Sequence, residues 1–145
     1  MLTAIPYAFA TVAMIWWALV VDKSGKKISN LTITCGLGAV GLVISVLSGS
    51  LAIGLTGLTI ALIGITSARA VFWTIPTRFL TGVGAASGLA FINSIGVAGG
   101  YFGPELMGQL KDATGGYLAG LLTMAAILAA ATLLAACLKL LIKVE

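Results

Sequence analysis

The sequence predicts an all-α membrane protein with about five transmembrane helices. Hydrophobic residues make up 60% of the 145 residues, charged residues only 8%, and the mean hydropathy is +1.17. Soluble domains carry roughly 25% charged residues. The 41 residues 28–68 contain no charge, and neither do residues 79–104 or 113–138. Because a charge at the centre of a bilayer costs about 3 kcal/mol, such charge-free tracts indicate segments that lie in hydrocarbon.

Five segments are long and apolar enough to cross a bilayer, which takes about 20 helical residues. They are predicted at about 2–21, 29–47, 51–72, 82–107 and 117–138. The charge-free tract 28–68 is twice the length of one crossing, and the Ser-Gly-Ser run at 48–50 provides a turn near its middle. We therefore expect a hairpin of two helices there, and a short polar connection at 111–116 before the last segment.

The basic residues lie at alternate ends of these segments, as expected for charges that orient a membrane protein. One side holds six of them: Lys23, Lys26, Lys27, Arg78, Lys139 and Lys143. The other side holds only Lys111, next to Asp112. Since short cytoplasmic loops retain the positive excess, the amino terminus is predicted outside and the carboxyl terminus in the cytoplasm. An odd number of crossings and an outside start indicate a piece of a longer protein.

The residue content also excludes several classes of function. The net charge of +4 does not indicate a nucleic-acid partner, because the basic residues lie at segment ends and not along one exposed surface. No nucleophile stands with a partnering base, no group of metal-ligating residues occurs, and no glycine-rich loop follows a strand. We therefore expect no enzyme activity, no catalytic residue, no metal site and no cofactor.

Glycines recur at intervals of four residues in the fourth segment, directly before a proline. The residues concerned are Gly84, Gly88, Gly96, Gly99, Gly100, Gly103 and Pro104. This spacing allows helix backbones to approach closely in lipid, and an internal proline bends a helix. Two interpretations follow: ordinary helix packing, or a helix with a pliable outer end that rocks during a functional cycle.

Polar and aromatic side chains predict a binding face. Arg69, Phe72, Trp73 and Pro76 fall at i, i+3, i+4 and i+7, so a cation and two rings share one helical face, which suits an organic anion. Asn93 is the only amide deep within the fourth segment. Three alternatives stay open: Arg69 snorkels to the membrane surface, the rings belong to an interfacial belt, and Asn93 bonds a neighbouring helix.

The turn after the first segment carries a recognisable pattern. Its sequence, DKSGKK at 22–27, resembles the loop motif G-x-x-x-D-K/R-x-G-K/R-K/R of the major facilitator superfamily, with Ala18 in place of the first glycine. The resemblance implies a gating loop in which Asp22 caps a neighbouring helix. It also implies that the basic residues bridge to the other helical bundle and stabilise one access state. The residues so implied are Asp22, Lys23, Gly25, Lys26 and Lys27.

A more specific resemblance begins at Phe72. The runs FWTIP at 72–76, GLAFINSIG at 88–96, GGYFGP at 99–104 and KDATG at 111–115 resemble the anion:cation symporter family, especially its phthalate and tartrate permeases. Where that family often has GNLGG, this chain has GVAGG at 96–100. The resemblance implies that the five segments are helices 8 to 12 of a twelve-helix transporter, which form most of its carboxyl-terminal bundle.

The family resemblance further implies uptake of small organic anions, such as sugar acids, tartrate, phthalate or other carboxylates, driven by a coupled cation, usually H⁺. Alternating access between two bundles would carry out the transport. Trp73 and Asn93 are the first candidates for substrate contact, with Phe72 and Arg69 beside them. The expected partners are membrane lipid, the anion, the cation and a missing amino-terminal bundle, in a bacterial inner (plasma) membrane.

Two other functions stay open at this point. The chain could act as a small transporter that works as an oligomer, which would need a membrane-embedded acid. Alternatively, it could be a scaffold or assembly partner that transports nothing and is held together by its glycine faces.

Overall fold

A computed structural model describes residues 4–141 of the chain, and it contains no strand in that range. The helices are α1 (Ala4–Ser24), α2 (Lys27–Leu47), α3 (Leu51–Trp73), the short α4 (Pro76–Phe79), α5 (Val83–Thr114) and α6 (Leu118–Leu141). Four of the described helices, α2, α3, α5 and α6, are long and apolar enough to cross a membrane. The predicted all-α membrane fold is confirmed. Residues 2 and 3 of the first predicted segment, and Lys143, lie outside the described residues.

Two short turns connect the first three helices. Between α1 and α2, Gly25 has a φ of +69°, a conformation that side chains with a Cβ rarely adopt, and its N–H donates to the carbonyl of Val21 at 2.9 Å. Between α2 and α3, the hydroxyl of Ser50 accepts a hydrogen bond from the N–H of Ile53 at 3.3 Å and so caps α3. The predicted hairpin turn at 48–50 is therefore present, and α2 and α3 run antiparallel.

A glycine seam, which we define as Gly38 and Gly41 of α2 and Gly57 and Gly64 of α3, holds the hairpin together. A Cβ on Gly41 would lie 2.8 Å from the Cα of Ala61, and one on Gly64 would lie 2.7 Å from the Cα of Gly38. Real Cβ atoms essentially never come within 3.0 Å of another heavy atom in this way. The two helices therefore pack with their backbones in contact, which only glycine permits here.

The other helices surround this hairpin. α6 packs against α2. Leu42 of α2, Ala61 of α3 and Ala125 of α6 form a buried cluster, with Leu121, Met124 and Leu128 packed around it. α1 packs against α3, where Val21 and Val71 are almost completely buried. α5 lies at the periphery, next to α6 and α4.

The helix that contains the fourth predicted segment, 82–107, is longer than that segment, because α5 continues to Thr114 through Pro104 and the polar residues that follow. The amide of Gln109 donates to the carboxylate of Glu105 at 3.0 Å, a hydrogen bond across one helical turn. The helix ends at Gly115, whose φ of +74° places its N–H against the carbonyl of Lys111 at 2.8 Å. Most of the predicted polar connection is thus the last turn of α5.

The glycines of α5 contrast with the glycine seam. A Cβ on Gly96, Gly99, Gly100 or Gly103 would meet nothing within 4 Å in the described part of the chain. Close packing of these glycines against another segment therefore stays a prediction, as does bending at Pro104. Among the residues described, close helix approach occurs between α2 and α3, where the sequence analysis did not place it.

Candidate functional site

A cavity of about 850 Å³ lies between the end of α3 and the middle of α5, within the range of 300–1,000 Å³ typical of ligand pockets. Arg69, Phe72 and Trp73 line it from α3, and Phe91 and Asn93 line it from α5, with aliphatic residues and one glycine of α5 completing the wall. All four side chains predicted to contact substrate thus border one cavity. Their role in binding remains a prediction.

The α3 wall of the cavity follows from helical spacing. Arg69, Phe72 and Trp73 stand at i, i+3 and i+4, and the rings of Phe72 and Trp73 meet edge to face with centroids 5.8 Å apart and planes at 72°. The predicted fourth member of this face, Pro76, belongs elsewhere. α3 ends at Trp73, and Pro76 is the first residue of α4, where its fixed φ favours a helix start.

Arg69 is an exposed cation within a helix that can span a membrane. It forms no ion pair or hydrogen bond with any residue that the structure describes. Arg69 lies five residues before Thr74, the cap of α3, which corresponds to about 7.5 Å along the axis. Ionisable residues inside membrane segments usually face a cavity or a partner, and Arg69 borders the cavity.

The α5 wall contributes one polar group and one ring. Asn93 is exposed and makes no hydrogen bond with a described residue, so a structural bond to a neighbouring helix is not seen in this part of the chain. Phe91, which sequence analysis did not single out, lines the same cavity. The only indication of Phe91 in the sequence is that an aromatic residue lies two positions before Asn93. Aromatic residues that face lipid occur in the same way, so the sequence alone does not identify Phe91 as a cavity residue.

A second groove, of about 610 Å³ and almost entirely apolar, runs beside the cavity between α2, α3 and α6. Leu31 and Cys35 line it from α2, and Ala135 and Leu138 line it from α6. Arg69 and Phe72 border both the groove and the cavity. The edge of α3 that carries Arg69 therefore lies between the cavity and the groove.

The predicted gating loop forms a compact turn at the end of α1. The side-chain amide of Asn30 donates to the carbonyl of Lys26 at 2.7 Å and to the hydroxyl of Ser24 at 3.1 Å. Asn30 is buried, and the sequence analysis missed it although an amide close after a glycine turn is a usable signal. Asp22 is exposed and bonds no described residue, so the helix cap implied for it is not seen within 4–141.

Lys27 joins this turn to the candidate site. It is the first residue of α2, and its ammonium donates to the carbonyl of Thr74, the cap of α3, at 3.0 Å. A cation is favourable at the carboxyl end of a helix and unfavourable at its own amino end, so Lys27 is stabilised mainly by α3. The family resemblance implied a bridge to another bundle, whereas this ammonium binds within the chain, next to Trp73.

Replacing Lys27 with methionine is expected to loosen the end of α3, because the Thr74 carbonyl loses a charged donor that contributes about 1 kcal/mol. Lys27→Arg keeps a charged donor at this position, so the end of α3 should be held as it is in the wild type. The matched control is Lys26→Met, since the side chain of Lys26 is exposed and only its backbone carbonyl takes part in the turn.

Acrylamide quenching of Trp73 fluorescence in lipid nanodiscs measures this effect. Trp16 and Trp17 are first replaced with phenylalanine, which leaves Trp73 as the only tryptophan. Quenching should increase in Lys27→Met and stay at the wild-type level in the Lys26 control. Equal quenching in both methionine variants would show that the bond from Lys27 does not hold the end of α3.

Comparisons with known proteins relate the chain to transporters. It is 40% identical over 127 residues to a "Putative tartrate transporter" of Agrobacterium vitis, which covers 88% of this chain and 28% of that protein. It is 39% identical over 120 residues to a "Quinolone resistance transporter" of Acinetobacter baumannii, covering 83% and 28%. It is 34% identical over 126 residues to "Inner membrane transport protein RhmT" of Escherichia coli (strain K12), covering 86% and 29%.

The chain spans less than a third of the length of these curated relatives. No family model matches the chain. No solved structure matches it. Relatives named as transporters, together with four described helices able to cross a membrane, make the chain a multi-pass membrane protein related to membrane transporters.

Proposed function

We propose that this chain is part of the carboxyl-terminal bundle of a major facilitator transporter of the anion:cation symporter kind, which takes up small organic anions together with a cation, H⁺. The observation that carries the proposal is the cavity in which the unpaired guanidinium of Arg69 stands beside two aromatic rings and an amide. The relative named as a tartrate transporter supports a small organic anion as substrate. The proposed location is the bacterial inner membrane.

In the proposed mechanism, each side chain of the cavity recognises one part of the anion. Arg69 binds the carboxylate through two parallel hydrogen bonds, a geometry that its planar guanidinium favours. The rings of Phe72 and Trp73 pack against the carbon skeleton, and Asn93 bonds a further oxygen. The remaining cavity wall and the groups that couple the cation come from the rest of the transporter, and rocking of two bundles about the site moves the anion across.

Co-expression tests this proposal. The chain is produced with the preceding part of the transporter, and uptake of radiolabelled tartrate is measured for the pair and for each part alone. Uptake in the pair only is the expected result. If the chain alone catalyses uptake, it acts as a small oligomeric transporter. If the pair inserts and associates without moving any anion tested, the chain acts as a scaffold, which the open glycine face of α5 favours.

Two substitutions test the site within that assembly. Trp73→Ala and Asn93→Ala should each reduce uptake on the order of tenfold with membrane insertion unchanged, because each removes one contact with the anion. Trp16→Ala is the matched control, since Trp16 is an exposed tryptophan of α1 outside the cavity. Uptake at the wild-type level in both site variants would assign these residues to helix packing or to the membrane interface.

A further inference from the structure

We infer that Asn30, a buried amide of α2 outside the cavity, positions the α3 wall of that cavity through Lys27. The inference rests on the proposed function for the importance of this wall, where Phe72 and Trp73 are the rings expected to contact the anion. Asn30 is 8% exposed and does not line the cavity. It acts through hydrogen bonds to the turn before α2, and Lys27 carries the effect from that turn to the end of α3.

The amino end of α2 lacks the usual features that stabilise a helix start. Its N-cap is Lys26, whose side chain makes no capping hydrogen bond, whereas Ser, Thr, Asp and Asn are the residues that normally cap this position. Lys26 and Lys27 also place two positive charges where the helix already carries a partial positive charge. No acidic residue follows in the first turn. The local sequence therefore disfavours the position of Lys27, and contacts with other residues must hold it.

The side chain of Asn30 supplies these contacts. Its amide nitrogen donates to the carbonyl of Lys26 at 2.7 Å and to the hydroxyl of Ser24 at 3.1 Å, so both amide hydrogens are used. The two partners lie on either side of Gly25, whose positive φ makes the turn. The hydroxyl of Ser24 donates in turn to the carbonyl of Val21 at 3.3 Å, and the side chain of Val21 is almost completely buried. One buried amide thus ties the start of α2 to the anchored end of α1.

The turn that Asn30 holds determines where the ammonium of Lys27 lies. The N–H of Lys27 donates to the carbonyl of Gly25 at 3.1 Å, and its ammonium donates to the carbonyl of Thr74 at 3.0 Å. The lysine side chain is long and flexible, so this second bond depends on a fixed backbone at Lys27. Thr74 directly follows Trp73. Loss of the Asn30 amide should therefore release the end of α3 in the same way as loss of the ammonium.

Asn30→Leu tests the inference, because leucine suits a buried position and has no hydrogen-bond donor in its side chain. The measurement is acrylamide quenching of Trp73 in lipid nanodiscs, with Trp73 as the only tryptophan. Asn30→Leu should increase the Stern–Volmer quenching constant about as much as Lys27→Met does. The variant with both substitutions should show no further increase, because the two residues act on the same bond to Thr74 and their effects are then not additive.

Two other variants show which bonds matter. Ser24→Ala removes one partner of the Asn30 amide and leaves the bond to the Lys26 carbonyl, so quenching should increase less than in Asn30→Leu. Thr32→Val is the matched control in α2, because the hydroxyl of Thr32 donates to the carbonyl of Ile28 within the same helix. Its quenching should stay at the wild-type level.

A second probe separates positioning of α3 from general loosening of the fold. With Trp17 as the only tryptophan, about two helical turns before Ser24 in α1, Asn30→Leu should leave quenching unchanged. Increased quenching at Trp17 as well, additive effects of the two substitutions at Trp73, or no effect of Asn30→Leu at Trp73 would each overturn the inference. These measurements need no anion, so their failure leaves the proposed function standing, and failure of anion uptake in the assembled pair leaves the positioning of α3 standing.

Discussion

Replacing Arg69 with glutamine is expected to reduce anion uptake by the assembled transporter on the order of 100-fold. Hydrogen bonds to a charged group contribute about 1.5–3 kcal/mol each, and a carboxylate on a guanidinium makes two of them. Among the residues that the structure describes, Arg69 is the only charged one that lines the cavity, so no other described side chain there can replace its charge. Glutamine keeps a hydrogen-bond donor of similar reach but cannot balance the charge of the anion.

Two further variants separate substrate binding from the alternative that Arg69 snorkels to the membrane surface. Arg69→Lys keeps the charge and loses the bidentate geometry, so its uptake should fall between wild type and Arg69→Gln. Lys139→Gln removes a basic residue from the last turn of α6, outside the cavity, and should leave uptake unchanged. A snorkelling Arg69 predicts that Arg69→Gln behaves like Lys139→Gln, and such a result would remove Arg69 from the site.

Helix positions were well predicted from the sequence because the membrane imposes simple constraints on length and charge. The predicted segments 29–47 and 51–72 differ from α2 and α3 by at most two residues at either end. α5 extends beyond the predicted fourth segment, because the polar residues predicted to form a connection continue the helix. Its backbone continues to Thr114, supported by the bond from Gln109 to Glu105 and ended by the positive φ of Gly115.

The candidate site was predictable in part. Helical spacing placed Arg69, Phe72 and Trp73 on one face, since residues on one helix have a fixed angular relation. The same spacing could not bring Asn93 and Phe91 to that face, because they belong to another helix whose position depends on its contacts with α6. Helical spacing also predicted Pro76 on this face, but α3 ends at Trp73 and Pro76 begins α4.

The glycine spacing shows a second limit of sequence patterns. Small residues four apart occur in α2 and α3, at Gly41 and Ser45 and at Gly57 and Ala61, as they do in α5. Two helix backbones come close together only where a face of small residues on one helix lies directly opposite such a face on the other. The tight turn at 48–50 brings the faces of α2 and α3 together, whereas no described helix covers the glycines of α5.

Gly41→Ala is expected to destabilise the fold by about 1–2 kcal/mol. The new methyl group would lie 2.8 Å from both the Cα of Ala61 and the carbonyl oxygen of Gly57. These are backbone atoms, so no rotamer change can relieve the overlap, and the two helices must separate along the glycine seam. Overpacking of this kind costs about 1–3 kcal/mol and opposes the gain of up to about 1 kcal/mol from alanine in a helix.

The matched control is Gly36→Ala, the same substitution in the same helix. A Cβ on Gly36 would lie 3.5 Å from a methyl group of Thr132, an ordinary van der Waals contact. Thermal unfolding in detergent should therefore show a clear decrease in Tm for Gly41→Ala and an unchanged or slightly higher Tm for Gly36→Ala. A Gly41→Ala variant as stable as the control would mean that α2 and α3 are further apart than the glycine seam requires. Because α3 carries Arg69, Phe72 and Trp73, separation along this seam should also displace the cavity wall and lower anion uptake.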